Sequence, residues 1–218
     1  MVLIVIKTKI LKVSRKSIKE AVESIKNGGL VVYPTETSYG IGCDATNPTA
    51  VKKLYKIKGR GKTKPISIIV SDLKMISKYG EITDRVRHLV EKFMPGPLTI
   101  VIKKKKTTLG FLSRGGIAFR ISSHPVANVL VKDVGLPITA TSANLSGAPP
   151  IYDVDEVVRT FKSRVDMILD CGSLKGIAPS TIIDMRNGKL KIIREGPIKS
   201  EKILKEVRQF RKKLPFQP

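Results

Sequence analysis

The stretch Tyr33-Pro-Thr-Glu-Thr-Ser-Tyr-Gly-Ile-Gly42 follows directly on a short apolar run, residues 30–32. It holds two threonines, a serine, a carboxylate and two glycines. The apolar run is typical of a buried strand, and sheet proteins place ligands at polar loops that follow such strands. We therefore predict that the polar loop 34–42 lines a binding site, with its glycines letting the backbone approach the ligand.

Helical and strand-like patterns alternate along the chain, and Asn187-Gly188 marks a hairpin. This alternation predicts an α/β fold with a twisted mixed sheet, parallel and antiparallel, flanked by helices. No repeat or composition break divides the chain, so we expect a single domain over residues 1–218. The predicted helices are 15–27, 48–58, a short one after Asp72, 84–93, one after His124, 154–161 and a basic closing helix, 200–213. The predicted strands are 1–6, 30–33, 66–70, 98–102, 117–121, 167–169, 181–185 and 189–193.

The chain is strongly basic. It carries 41 Lys and Arg against 18 Asp and Glu, a net charge of +23. This exceeds what solubility requires and attracts polyanions such as RNA. A lysine-rich solvated surface explains the same numbers, so charge alone does not separate the two. Aromatic residues make up 5% of the chain and tryptophan is absent, which argues against a stacking platform for single-stranded nucleic acid.

The apolar opening of the chain, residues 1–6, is too short for a membrane span or a signal-peptide core. The chain holds only two cysteines, Cys43 and Cys171. We therefore expect a cytoplasmic protein without a membrane association.

Polar clusters follow apolar segments at four places in the chain. None of them has the spacing of a phosphate-binding loop, His88 and His124 are too isolated to bind a metal, and no nucleophilic triad is apparent. The cationic side chains would then be the working groups, because arginine and lysine bind phosphate and carboxylate. Each cluster alone also fits a solvated helix end or a self-bonded turn, but four together favour a shared pocket. The clusters are 34–42, Lys58-Gly59-Arg60 with Lys62 and Lys64, Ser142-Ala143-Asn144, and Pro179-Ser180-Thr181 with Arg194.

Six motifs keep the order of a known family over about residues 15–200 of the chain. They are Pro34-Thr-Glu-Thr-Ser-Tyr-Gly-Ile-Gly42, Lys58-Gly-Arg60, Pro95-Gly-Pro-Leu-Thr-Ile100, Ala118-Phe-Arg120 with His124-Pro125, Thr141-Ser-Ala-Asn-Leu-Ser-Gly147, and Ser180-Thr-Ile-Ile-Asp184 with Arg194 and Gly196-Pro197. In these motifs the chain resembles the YrdC/Sua5 family of threonylcarbamoyl-AMP synthases. It resembles the short YrdC-like form, without the additional C-terminal domain of the longer Sua5 form.

The resemblance implies a YrdC-like fold with a positively charged concave cavity. It also implies that L-threonine, bicarbonate and ATP react to threonylcarbamoyl-adenylate and pyrophosphate, for threonylcarbamoyladenosine modification of tRNA. Mg²⁺ is expected with ATP, without a protein metal site. The implied partners are tRNA or double-stranded RNA and a downstream threonylcarbamoyl transferase. The implied catalytic residues are Lys58, Arg60, Ser142 and Asn144; ATP would bind these four with Lys64 and Arg194; threonine would bind Thr37, Arg120 and Ser180.

Two departures from the family pattern concern the site. Ile69 stands where many relatives carry a histidine on the threonine side, and Lys64 stands where they carry an asparagine near ATP. Two alternatives remain open: a non-catalytic RNA-binding protein on the same fold, and a carbamoyl-adenylating enzyme like the related domain of hydrogenase-maturation proteins. The set Lys58, Arg60, Ser142 and Asn144 favours an enzyme over the first, and the threonine set argues against the second.

Overall fold

The computed structural model describes residues 7–61, 65–106, 108–113 and 115–213. Its strands are β1 (Lys9–Lys12), β2 (Val31–Pro34), β3 (Tyr39–Gly42), β4 (Ile68–Ile69), β5 (Leu98–Ile102), β6 (Ile117–Arg120), β7 (Ile138–Thr139), β8 (Thr141–Ser142), β9 (Met167–Asp170), β10 (Thr181–Asp184) and β11 (Lys191–Arg194). Its α-helices are α1 (Arg15–Lys26), α2 (Pro48–Ile57), α3 (Leu73–Ser77), α4 (Asp84–Phe93), α5 (Pro125–Val134), α6 (Val154–Phe161) and α7 (Ser200–Lys213).

The strands form two sheets. The five-stranded sheet has the order β1-β9-β2-β3-β8, and the six-stranded sheet has the order β11-β10-β5-β6-β4-β7. Both mix parallel and antiparallel pairs: β2 lies parallel to β9 and antiparallel to β3, and β10 lies parallel to β5 and antiparallel to β11. The predicted mixed α/β architecture is confirmed, with the strands divided between two sheets instead of one.

The helices begin where the sequence places their caps. The Ser14 hydroxyl accepts a hydrogen bond from the backbone N–H of Ser17, and the Asn47 side chain does the same for the next helix with Thr49 and Ala50. His124 caps α5, because its Nδ1 accepts from the N–H of Val126. Such caps satisfy N–H groups that have no partner inside a helix.

The core consists of two apolar clusters. One packs α1 and α5 against one face of the five-stranded sheet, to which Val31 and Tyr33 of β2 contribute. Val32 points into the other, larger cluster, which joins the opposite face to the six-stranded sheet and to α2 and α4. Because β2 is covered on both faces, it is apolar without alternation.

Several element boundaries differ from the predictions. The strand predicted at residues 1–6 lies outside the described residues, while the unpredicted β1 is an edge strand with lysine at both ends. The predicted strand 66–70 is shorter in the structure, where β4 is Ile68–Ile69. The N–H of Ile66 leaves the sheet and bonds the oxygen of Leu112. Within the described ranges, no helix has the length and apolarity that crossing a membrane requires.

The predicted polar loop 34–42 is a hairpin. Its second half is β3, which pairs antiparallel with β2 and is fully buried, so only residues 35–38 form the turn. A Cβ at position 42 would lie 2.6 Å from Cε1 of the Tyr33 ring. Gly42 therefore makes room for a core tyrosine and not for a ligand. The prediction that the glycines of this loop let the backbone approach a ligand is wrong for Gly42. Gly40 does line the cavity described next.

Candidate active site

A cavity of about 470 Å³ lies between the two sheets. This volume is in the range of small-molecule sites, about 300–1,000 Å³. The five-stranded side supplies Thr37 from the β2–β3 turn and Ser142 from β8, and the six-stranded side supplies Thr99, Arg120 and Arg194 from β5, β6 and β11. All four predicted polar clusters contribute to its wall, so residues distant in sequence form one site.

The charged side chains of the described wall are all arginines: Arg60, Arg120 and Arg194. No aspartate or glutamate is among the described lining residues. Burial lowers the pKa of Arg194, and the nearby charge of Arg120 lowers it further. Like charges gathered in a concave, partly desolvated space attract an anion that lies between them.

Lys58 lies behind the wall and not in it. Its side chain is buried, with the residue only 1% exposed, and Nζ donates hydrogen bonds to the backbone oxygens of Asn144, at 2.7 Å, and of Ser142. The N–H of Ser146 in turn donates to the Lys58 oxygen at 2.9 Å. Burial, and then the charge of Arg60, lowers the pKa of Lys58 to about 7. Lys58 thus fastens the 142–146 turn to the C-terminus of α2.

Ser142 and Asn144 contact each other directly. The Ser142 hydroxyl donates to Oδ1 of Asn144, and Nδ2 of Asn144 donates to the oxygens of Leu145 and Ala148, at 2.8 and 2.6 Å. The structure therefore brings together three of the four predicted catalytic residues, Lys58 included. The Ser142 hydroxyl and the Asn144 amide both donate within this turn, which leaves the Ser142 oxygen as an acceptor toward the cavity.

Arg60 is the fourth predicted catalytic residue, and it does face the cavity. Gly59 adopts a left-handed conformation, with φ of 58°, and ends α2 in the manner of a glycine C-cap. Nη2 of Arg60 donates to the Pro65 oxygen at 2.8 Å. Its Nε is buried and makes no hydrogen bond within the described part of the chain. Lys64, predicted beside it, lies outside the described residues.

The predicted threonine-binding residues occupy two places in the cavity. Nη1 of Arg120 donates to the Thr37 hydroxyl at 3.2 Å, so these two meet. Ser180 lies instead beside Arg194, whose Nη2 donates to the Ser180 oxygen at 2.8 Å. Ile69 is buried beside Arg120 in the sheet register and belongs to the apolar core, so it offers the cavity no polar group.

Several polar residues in or beside the cavity wall had no role in the sequence prediction, among them Thr99, Glu36 and Ser122. Thr99, inside the 95–100 motif, places its hydroxyl 2.9 Å from that of Ser180. Glu36, inside the opening stretch, pairs with Arg120 and accepts from the Ser122 hydroxyl. Thr99 and Glu36 both lie inside the sequence motifs, so the motifs pointed to their segments. The sequence alone does not show which polar side chains of different motifs contact each other.

Comparison with known proteins identifies the family. A model of the Sua5/YciO/YrdC family, described as Telomere recombination, matches residues 23–196. The chain belongs to the Sua5/YciO/YrdC family. A Methanocaldococcus jannaschii member that carries a threonylcarbamoyl-AMP synthase name is 38% identical over 206 residues, which are 91% of this chain and 98% of that protein. The threonylcarbamoyl-AMP synthase of Bacillus subtilis is 32% identical over 88% of this chain and 57% of its own length.

The same family relationship appears in solved structures. Pyrococcus abyssi Sua5, solved in complex with L-threonine, superposes with a TM-score of 0.85 at 30% identity. The superposition covers 91% of this chain and 59% of Sua5. The chain thus spans about 60% of the length of the Sua5 and Bacillus subtilis proteins, while it matches nearly all of the Methanocaldococcus jannaschii protein.

Proposed function

We propose that this chain is a threonylcarbamoyl-AMP synthase, which forms L-threonylcarbamoyladenylate and pyrophosphate from L-threonine, bicarbonate and ATP. The convergence of three arginines in one cavity, without an acidic residue in its described wall, carries the proposal. Each of the three substrates brings an anionic group: threonine a carboxylate, bicarbonate its own charge and ATP a triphosphate. The relatives that bear the name of this synthase support the same activity.

We assign the triphosphate to Arg60. A buried donor without a partner costs about 1–3 kcal/mol, and Nε of Arg60 is such a donor within the described residues. A phosphate oxygen at this position would satisfy it, and the planar guanidinium suits two phosphate oxygens. Arg194 and Lys64 complete the proposed ATP set. The acceptor oxygen of Ser142 fits a donor of the ATP, such as a ribose hydroxyl or the adenine amine.

We assign the threonine carboxylate to Arg120. Its side chain is 8% exposed and is held between Glu36 and Thr37, and both contacts use Nη1. Within the described residues, Nε and Nη2 of Arg120 have no hydrogen-bond acceptor, so one edge of the guanidinium remains available to a carboxylate. Thr37 and Ser180 add hydroxyl groups for the amino acid.

These positions fit the chemistry of adenylation. The threonine amine forms a carbamate with bicarbonate, with loss of water. A carbamate oxygen then bonds to the α-phosphorus, and the bond to the bridging oxygen breaks to release pyrophosphate. Negative charge grows on the transferred phosphoryl group and on the leaving group, so positioned cations and hydrogen-bond donors lower the barrier. A shared cavity also removes the entropic cost of bringing the reactants together.

Magnesium would enter as the ATP complex. In the described part of the chain, no group of three or more His, Cys, Asp and Glu residues is placed to hold a metal ion. Mg²⁺ keeps several waters and is commonly held by substrate phosphates. Its contribution would be to neutralise charge on the triphosphate, while the arginines orient it.

The product is a mixed anhydride, which water destroys, so we propose that a threonylcarbamoyl transferase takes it over for tRNA modification in the cytoplasm. The net charge of +23 supports a contact with tRNA or double-stranded RNA at the protein surface.

The test is a pyrophosphate-release assay with the purified chain, Mg²⁺, ATP, bicarbonate and L-threonine. We expect release that requires every substrate and that falls to background when threonine is omitted. Release that ignores threonine would favour a different adenylation, and no release together with tight tRNA binding would favour an RNA-binding protein. Either result would overturn the proposal.

A further inference from the structure

Glu36 is a buried carboxylate that the proposed reaction does not use. Its side chain is 11% exposed, and it is not among the residues that line the cavity. A carboxylate in such a place is costly unless a charge and hydrogen bonds compensate it. The residues that contact Glu36 therefore indicate its role.

Two groups fix the two oxygens of Glu36. Oε1 lies 3.2 Å from Nη1 of Arg120, as an ion pair without hydrogen-bond geometry. Oε2 accepts a hydrogen bond from the hydroxyl of Ser122. Ser122 is itself 1% exposed and accepts from the N–H of His124 at the start of α5. The carboxylate is thus anchored to the backbone that leads into a helix.

Arg120 is held on the opposite side by the turn. Its Nη1 donates to Thr37, whose hydroxyl lies 3.0 Å from that of Thr35. The Thr35 hydroxyl already donates to the Ser38 oxygen at 2.7 Å, so Thr37 is the donor between the two threonines. Thr37 thereby keeps its lone pairs for Arg120. Nη1 is thus fixed by Glu36 and by Thr37, while Arg120 lines the cavity and its Nε and Nη2 have no acceptor among the described residues.

We infer that Glu36, anchored by Ser122, is a positioning residue that orients Arg120 for the carboxylate of the amino-acid substrate. The inference rests on the proposed function, which assigns the threonine carboxylate to Arg120. Glu36 does not touch the substrate. It acts by holding Nη1, so that Nε and Nη2 meet the substrate carboxylate as a fork without further rearrangement.

The substitution Glu36→Gln keeps the size of the side chain and removes its charge. We expect the KM for threonine to rise about tenfold, as for the loss of one charge-assisted contact, while kcat and the KM for ATP stay within about twofold. Ser122→Ala should shift the KM for threonine in the same direction by a smaller factor. Glu81→Gln is the matched control, because Glu81 forms an exposed ion pair with Lys103 outside the cavity wall.

A cycle with Arg120→Ala distinguishes positioning from a merely structural role. In that background Glu36 has nothing to orient, so adding Glu36→Gln should leave kcat/KM for threonine unchanged within about twofold. Arg120→Ala alone should lower Tm by at least about 6 °C, because it strands a buried carboxylate. The double variant should recover at least about half of that loss, since it removes the stranded charge.

A KM for threonine that is unchanged or lowered in folded Glu36→Gln, or a further loss when it is added to Arg120→Ala, would overturn this inference alone. In that case the wild-type chain still releases pyrophosphate in response to threonine. A wild-type chain that never does so would overturn the proposed function and, with it, the role of Glu36.

Discussion

Nζ of Lys58 lies 2.7 Å from the backbone oxygen of Asn144, and the same ammonium group reaches the oxygen of Ser142. A residue at the end of α2 therefore holds the turn that supplies Ser142 and Asn144 to the cavity wall. The sequence motif places Lys58 and Arg60 side by side, but the two have separate tasks in the structure: Arg60 faces the cavity, and Lys58 braces its wall.

Because Lys58 holds the 142–146 turn in place, we predict that Lys58→Met lowers both activity and stability. Methionine matches the length of the aliphatic stem but removes the donor of the buried Asn144 oxygen, which costs about 1–3 kcal/mol. The Ser142 oxygen keeps the N–H of Asn144 as a donor. Chemical denaturation should show a lower free energy of unfolding, and pyrophosphate release should fall. If activity is lost while the free energy of unfolding is unchanged, Lys58 does not act by supporting the turn, and a direct contact with ATP is favoured.

Titration of Lys58 should appear in the pH dependence of stability. Burial lowers its pKa from 10.5 to about 7. Between these values the unfolded chain binds one more proton at this position than the folded chain, so the free energy of unfolding rises with pH, by at most about 1.4 kcal/mol per pH unit. We expect the difference between wild type and Lys58→Met to grow from pH 7 to 9 and to level off below about pH 6, where Lys58 is protonated in both states. A difference that falls or stays constant from pH 7 to 9 would contradict a lowered pKa.

Arg60→Ala should remove turnover without removing the fold. The guanidinium makes one hydrogen bond to a backbone oxygen and leaves Nε unpaired within the described residues, so its loss costs little stability. Pyrophosphate release should fall at least about 100-fold, as for the loss of a transition-state contact of about 3 kcal/mol. Arg87→Ala, on the exposed face of α4, is the control and should retain full activity. Near-normal turnover of folded Arg60→Ala would refute the triphosphate assignment.

The two glycines of β3 should respond differently to alanine. A Cβ at Gly42 meets the Tyr33 ring at 2.6 Å, whereas one at Gly40 finds ordinary contacts of 3.6 Å. Gly42→Ala should therefore lower the free energy of unfolding by about 1–3 kcal/mol through overpacking. Gly40→Ala should leave it within about 1 kcal/mol. Denaturation curves of the two variants measure this difference. An equal decrease in the free energy of unfolding would contradict the predicted clash at Gly42.

Local signals were sufficient for much of the fold. Ser14 and Asn47 mark helix starts through side chains that bond their own helix, and Asn187-Gly188 marks the β10–β11 hairpin, in which Gly188 has a positive φ. Such features depend on neighbours in sequence. The division into two sheets depends on pairings between distant strands, for example β2 with β9, and no local pattern encodes them.

The site shows the same limit. Its motifs identified the segments that form the wall, because their polar residues have no use in a core. They did not show that Lys58 turns away from the cavity or that Glu36 stands behind Arg120, since both depend on burial and on contacts across more than 80 positions of the sequence. The β3 strand was missed because its glycines resemble those of a loop, although one of them accommodates Tyr33.

Mass spectrometry of the reaction with ¹³C-bicarbonate shows directly whether the chain makes threonylcarbamoyl-adenylate. We expect an adenylate that carries one ¹³C, forms only when threonine and ATP are both present, and is lost in Arg60→Ala but not in Arg87→Ala. If the wild-type chain forms no labelled adenylate, or forms a labelled adenylate without a threonyl group, the proposed activity is wrong.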